Sequence, residues 1–305
     1  MELNRIYNED CLEGMKRIPD GSVDLILTDL PYGTMKGIDD NHDWDVAIDP
    51  KEIHAVANRI LRKNGKMVLF SQEPYTTQLI TKAIPNVPFN YRAIWEKDRF
   101  GNHLASKKAM VGYYEDILVF SKMHDTTAVH PLRSYFKGIM DYTGFNLRQI
   151  NKKLGHRRAE HTFYVESTQF RLCTEETYNE IIEHFGVHDM DGFKPYNDLK
   201  MIDKDVKDKH FPSTFNLWEG NKSKSNILKY KKDNKRYHPT QKPVLLLEDL
   251  IKTFSNEGDL VVDMTIGSGS TMVAAINTKR RYLGFELDKH YYDIANQRIE
   301  NAKQS

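Results

Sequence analysis

The segment Asp24-Leu25-Ile26-Leu27-Thr28-Asp29-Leu30-Pro31-Tyr32-Gly33 constrains this chain more than any other. Val23 to Leu27 is too short for a helix and too rich in branched residues, so it reads as a buried strand, and Pro31 and Gly33 force a turn directly after it. Asp29 then stands at the carboxyl end of a strand, and open α/β sheets bind ligands in the crevice beyond those ends. Taken alone, the segment reads equally well as a strand-to-loop turn with a capping aspartate.

The surrounding pattern favours an α/β sheet. Residues 3 to 7 alternate as a strand, and Asp10 then opens a short helix that begins at Cys11 and stops before Pro19-Asp20-Gly21. Asp10 is placed to cap that helix or to meet a ligand. Asp49-Pro50 starts a second helix by cap and N1 proline. Ile53, Val56, Ala57, Ile60 and Leu61 share its apolar face before Asn64-Gly65 ends it. Strand 66–71, a helix from Glu73, and strands 89–96 and 115–121 follow. Alternation of this kind predicts a doubly wound, mostly parallel sheet. Between the strand at 23–27 and the second helix, 33–45 is a polar loop carrying one aromatic, Trp44. The connection 97–108 is basic and contains glycine.

From about Met123 the pattern changes. Three hundred and five residues suffice for one large domain with an insertion. The pattern divides the chain into a first half over 1–122, a mainly helical insertion over 123–211 and a second half over 212–305. Within the insertion, Leu147, Ile150 and Leu154 share a helical face, Gly155 supplies a turn, and 156–163 reads as a second, basic helix with Arg157 and Arg158. A helix-turn-helix is one reading and an ordinary helix pair the other. Thr174 caps a further amphipathic helix to Phe185, its acids facing solvent. The net charge of +1 advertises no partner, yet 221–236 carries seven basic residues against one acid. A stretch of that kind either tracks phosphates or is a solvated loop. Two cysteines, Cys11 and Cys173, make neither a disulfide framework nor a zinc site, no metal is expected, and a reducing cytoplasm fits. No apolar run reaches membrane-spanning length.

The remaining third repeats the opening logic. Pro243 starts a helix with Val244, Leu247, Leu250, Ile251 and Phe254 as its apolar stripe. Residues 260–262 form a buried strand ending at Asp263, and Gly267 and Gly269 allow the backbone to approach a ligand. Residues 281–285 form the next strand, and Glu286 at its end can take both hydroxyls of a ribose. The glycine pair lacks the lysine of a phosphate loop and the third glycine of a nicotinamide site.

Three blocks in this order, Asp29-Leu30-Pro31-Tyr32, His238-Pro239-Thr240-Gln241-Lys242-Pro243, and Asp263-Met264-Thr265-Ile266-Gly267-Ser268-Gly269 with Glu286, resemble the S-adenosylmethionine-dependent DNA amino-methyltransferases of beta motif order, phage-type. The resemblance implies a Rossmann-like methyltransferase sheet whose inserted region recognises the target. It makes 1–122 the catalytic half and 212–305 the cofactor-binding half, and it implies a catalytic role for Asp29, Leu30, Pro31 and Tyr32. It places S-adenosylmethionine against Asp10, Cys11, Thr240, Lys242, Asp263, Thr265, Gly267, Gly269 and Glu286, with Thr240 and Lys242 at the methionine end. Trp44, Lys107, Lys108, Arg157 and Arg158 are the implied contacts to double-stranded DNA. Two departures stand out: Leu30 replaces the usual proline, acting through its carbonyl, and Met264-Thr265 replaces Pro-Phe. The implied reaction is methyl transfer to adenine N6 after base flipping, in a bacterial or phage-infected cell, with a homodimer and a restriction partner both left open. Cytosine N4 is the close alternative, and an inactive DNA-binding regulator on the same scaffold is the alternative of another class.

Overall fold

The computed structural model describes residues 1–33, 46–100, 107, 110–124, 130–167, 169–208 and 213–304. The chain divides into two compact units, Met1–His124 with Pro212–Ser305, and Asp125–Phe211.

In the first unit, among the described residues, eight strands form one sheet. They are β1 (Arg5–Tyr7), β2 (Val23–Asp29), β3 (Leu61–Ser71), β4 (Phe89–Glu96), β5 (Tyr114–Ser121), β6 (Ile227–Lys229), β7 (Leu260–Asp263) and β8 (Arg281–Phe285). The spatial order is β1-β8-β7-β2-β3-β5-β4-β6. All neighbours run parallel except at β5, which is antiparallel to both β3 and β4. The central strand β2 shows why the sheet has two covered faces. Leu25 and Leu27 enter one core, with α8 (Val244–Phe254), α9 (Ser270–Asn277) and α10 (Lys289–Lys303), while Val23 and Ile26 enter the other. That second core holds α1 (Cys11–Met15), α2 (Pro50–Ile60) and α3 (Tyr75–Thr81). Strand side chains alternate between faces, and each fully buried Leu or Ile stabilises by about 1.5 to 3 kcal/mol relative to exposure. The charged residue inside β2, Asp24, is buried with partners: Arg62 Nε donates to Oδ1 at 2.5 Å and Leu260 N to Oδ2 at 2.7 Å.

Two local expectations are corrected here. Helix α2, capped by Asp49 accepting from Lys51 N at 3.0 Å, ends at Ile60, and Leu61 already pairs with Val23, so β3 begins five residues before the expected strand. The basic stretch after Asn221 is partly structured: Ile227 to Lys229 add β6 to the edge strand β4, with Lys229 against Glu96 and Lys224 against buried Asp249.

The second unit packs α4 (Leu132–Thr143), α5 (Leu147–Leu154), α6 (Glu175–Phe185) and α7 (Tyr196–Asp208) around Phe136, Ile150, Tyr178 and Leu199. Helix α5 has the full N-terminal box: Asn146 Oδ1 accepts Gln149 N, and Gln149 Oε1 accepts Asn146 N. Gly155 ends it at φ +78°. The expected basic second helix is absent. Residues 156–159 are turns, and only Glu160–Phe163 make a short 3-10 helix. Arg157 pairs with Glu160, while Arg158 and His156 turn onto Glu180 of α6, at 2.6 and 2.8 Å. Glu180 is therefore drawn into pairing, although the other acids of α6 face solvent as expected. No helix among the described residues is long and apolar enough to cross a membrane.

Candidate active site

Strand β2 is where the sheet's winding reverses, with β7 on one side and β3 on the other, and ligands in such sheets collect beyond the strand ends at that switch. A cavity of about 1160 Å³ lies there. Its wall includes Asp10, Cys11, Asp29, Leu30, Pro31 and Tyr32 from the chain's start and Thr240, Lys242, Asp263, Thr265, Gly267 and Glu286 from its end. The two ends are stitched together: Thr265 Oγ1 donates to the Asp29 carbonyl at 2.9 Å and lies 3.1 Å from Thr28 Oγ1.

Asp29 is held from both sides. The Tyr32 hydroxyl donates to Oδ1 at 2.7 Å, and Lys242 Nζ donates to Oδ2. Lys242 thus lies beside the Asp29 carboxylate as well as in the cavity wall. Burial and the nearby Glu115 charge raise the Asp29 pKa against the pull of Lys242 and Tyr32. Burial works to lower Lys242, but Asp29 and Glu115 outweigh it, so its ammonium titrates above the usual range. Burial and Asp29 keep the Tyr32 phenol far above its ordinary value, so it remains a donor.

From Asp263, next to Asp29, out to Glu286 and Asp10, the cavity wall is acidic. Glu286, at the end of β8, uses Oε2 to accept Gly267 N and Oε1 to accept Asp288 N, both at 2.8 Å. Burial raises its pKa, and those two N–H groups oppose the rise. Asp263 is pushed up to about 6 by burial, against hydroxyls of Thr271 and Thr28 and the Thr265 N–H. Asp10 caps α1, its Oδ1 accepting from Leu12 N at 2.8 Å and Glu13 N at 3.1 Å, while also facing the cavity. Burial pushes the Cys11 thiol up to about 12, which leaves it an inert wall residue. Gly267 has φ +51°, and a Cβ there would rest in ordinary contact on the His238 ring, 3.8 Å from Cδ2. Gly269 is different: it does not line the cavity, and a Cβ there would lie 2.9 Å from Ala295 Cβ of α10. Its missing side chain serves helix packing, which corrects its placement against a ligand. Thr240 is exposed, its hydroxyl 3.1 Å from His238 Nδ1.

Several wall residues escaped the sequence reading. Trp95 and Lys97 follow from the end of β4, and Glu115 from the start of β5. Because β5 is antiparallel, its first residues lie beside the carboxyl ends of its neighbours. Lys97, the first residue of the basic connection 97–108, is buried, donating to Glu115 Oε1 at 2.5 Å. Lys232, Arg236 and His238 complete the wall. Among the expected DNA contacts, Trp44 and Lys108 lie outside the described residues, Lys107 is exposed, and Arg157 and Arg158 belong to the second unit with the carboxylate partners given above.

A switch-point cavity with one hydrogen-bonded carboxylate at a Pro-Tyr turn and a second carboxylate beyond the glycine turn defines an α/β methyltransferase. A family model described as DNA methylase, for N6/N4 methyltransferases, matches residues 23–297. This chain belongs to that family, the S-adenosylmethionine-dependent DNA amino-methyltransferases. It is 27% identical over 307 residues to the DNA adenine methyltransferase YhdJ of Escherichia coli (strain K12), covering 99% of this chain and 84% of that one. It is 24% identical to the type II methyltransferase M.HpaI of Haemophilus parainfluenzae, covering 97% and 74%. The fold is shared with M1.HpyAVI, solved as a complex with SAM, at 18% identity, TM-score 0.54 and coverage of 97% and 98%. It is shared too with the cytosine-N4-specific PvuII DNA methyltransferase, at 14% identity, TM-score 0.54 and coverage of 98% and 91%.

Proposed function

We propose that this chain methylates the exocyclic N6 of adenine in double-stranded DNA, with the target base turned out of the duplex into the cavity beside Tyr32. The observation that carries the proposal is one cavity lined both by Asp29, at the end of β2, and by Glu286, just after β8, with β7 between those strands. The donor set fits S-adenosylmethionine. Glu9, Asp10, Asp263, Glu286 and Asp288 make the wall beyond β7, β8 and β1 acidic, which suits a cationic sulfonium and an ammonium and repels a pyrophosphate. Glu286 would hold the ribose hydroxyls, and the Gly267 backbone would lie close to the cofactor. When bound, the cofactor supplies an electrophilic methyl group on sulfur.

The chain's residues supply the rest. An adenine amino nitrogen is a poor nucleophile because its lone pair is delocalised into the ring. Asp29 and the Leu30 carbonyl accept its two hydrogens, drawing the nitrogen toward tetrahedral geometry and aiming the lone pair. Carboxylate oxygens have about four acceptor sites, so Asp29 keeps capacity beyond Tyr32 and Lys242. Positive charge developing on nitrogen meets an acceptor that is already oriented.

The adenine assignment is supported by likeness to an adenine methyltransferase along 99% of the chain and by a motif that starts with Asp29. Cytosine N4 is the second reading, supported by the fold shared with a cytosine-N4-specific enzyme. Target recognition is assigned to Asp125–Phe211, where α5 exposes Arg148 and Lys152 one turn apart. Digestion of DNA to nucleosides after incubation with protein and cofactor tests the reading: N6-methyladenine is expected. N4-methylcytosine would establish the second reading, and unmodified DNA would remove both.

A further inference from the structure

Four ionisable side chains from four separate places in the sequence form one buried row in the cavity wall. Lys97 Nζ meets Glu115 Oε1 at 2.5 Å, Lys242 Nζ meets Glu115 Oε2 at 3.1 Å, and the same Lys242 Nζ donates to Asp29 Oδ2. The side chains of Lys97, Glu115 and Lys242 are 4%, 11% and 5% exposed, against 23% for Asp29. All four line the cavity, and Asp29 is the most exposed of them. Two anions and two cations balance, which is how charges survive at such burial. We propose that Lys242, Glu115 and Lys97 are positioning residues for methyl transfer: Lys242 fixes the Asp29 carboxylate in its ionised form and in one rotamer toward the target amino group, and Glu115, itself balanced by Lys97, fixes Lys242.

The inference rests on the proposed role of Asp29. A neutral, protonated Asp29 would present a donor at one oxygen and accept the amino hydrogens poorly. Burial and Glu115 favour that neutral form, and Lys242 opposes it. The groups facing Asp29 are Tyr32 from its own turn, Lys242 from the segment before α8, Glu115 from β5 and Asp263 from β7. Those facing the inner end of the row are Lys232, next to Lys97 and Glu115, and His238, whose pKa burial and Lys242 lower to about 4. Glu115 itself is held below the usual carboxylate range: burial would raise it, and Lys242 and Lys97 prevail. Lys242 would therefore be the only cation in direct contact with Asp29 among the described residues, and Glu115 with Lys97 would hold it in place.

The test uses the full chain, DNA and S-adenosylmethionine. Lys242→Met leaves two neighbouring buried carboxylates without their shared cation. The acid limb of the single-turnover pH profile should move up by about one unit or more, the scale of losing an adjacent opposite charge. Adding Glu115→Gln to Lys242→Met removes the surplus anion and should bring the limb at least halfway back. Cofactor affinity should stay within about threefold throughout, because the row touches the Asp29 end of the cavity. Lys97→Met, farther from Asp29, should give a smaller upward move and covers the case in which Lys242→Met does not fold. The Asp29 carboxyl carbon, followed by NMR in aspartate-labelled protein without DNA, should titrate with the same displacements; this readout holds even if wild-type protein leaves DNA unmodified, so the two proposals fail separately. An acid limb and a carboxyl titration unmoved in the Lys242 and Lys97 variants would overturn the proposal. So would a tenfold loss of cofactor affinity, which would return Lys242 to the cofactor.

Discussion

At the scale of the residue, the sequence and the structure diverge most where charge is buried. Asp29 and Glu286 were legible because each follows a short apolar strand, and strand ends face the crevice. Glu115 and Lys97 were not, because a carboxylate at the start of a strand and a lysine at the end of another resemble ordinary flanking charges until an antiparallel pairing brings them together. Asp263 offers a direct check of how dry this wall is. Its pKa stands near 6, above the ordinary aspartate value of 3.8, because of burial. A folded-state value above the unfolded one means the folded protein binds the proton more tightly. Stability therefore declines as pH rises from about 4 to about 6, then levels, the total amounting to roughly 2 to 3 kcal/mol. Asp263→Asn cannot ionise and keeps an oxygen to accept from Thr265 N. Chemical denaturation of the cofactor-free protein across that window should show the wild type losing stability relative to the variant. Parallel curves would mean that Asp263 is solvated and titrates normally.

At the scale of the element, most strands and helices could be read from periodicity and caps. The helix α2 could be read from Asp49-Pro50, α6 from Thr174, whose hydroxyl accepts Thr177 N at 3.4 Å, and α8 from its apolar stripe. The chain after Gly155 could not, because the pattern of Arg157 and Arg158 says nothing of Glu180, which lies in α6 and takes Arg158. Gly269 shows the same gap. Its place in a Gly-x-Gly turn suggests ligand approach, yet the close neighbour is Ala295 of α10, and its φ is +82°. An alanine there must adopt a left-handed backbone and press into a helix, so Gly269→Ala should cost about 2 to 4 kcal/mol of stability. Below the melting transition its cofactor affinity should stay near wild type. A variant of unchanged melting temperature with poor cofactor binding would place Gly269 back at the ligand.

At the scale of the whole molecule, the active site joins chain segments more than two hundred residues apart, and parallel order makes this possible. Strands β2 and β7 are neighbours and both end at the same edge, so Asp29 and Asp263 meet there, tied by Thr265. The order of the three motif blocks signals this join, but only the sheet order explains it. The division of labour then yields opposite forecasts for the two ends. Asp29→Ala removes an oriented acceptor and should lower methyl transfer by at least about a hundredfold, while cofactor affinity holds, because Glu286 and the Gly267 turn are untouched. Glu286→Ala should weaken cofactor binding by roughly 1.5 to 3 kcal/mol, the scale of hydrogen bonds to a charged acceptor. At saturating cofactor it should retain much of its transfer rate. Calorimetry for binding, single-turnover labelled-methyl incorporation for chemistry and thermal melting for fold, all on one preparation, separate these outcomes. If Asp29→Ala merely melts earlier and methylates DNA at near wild-type rate, Asp29 is a turn cap and the chemistry lies elsewhere in the cavity. If Glu286→Ala binds cofactor normally and loses only turnover, the two ends have been assigned the wrong way round.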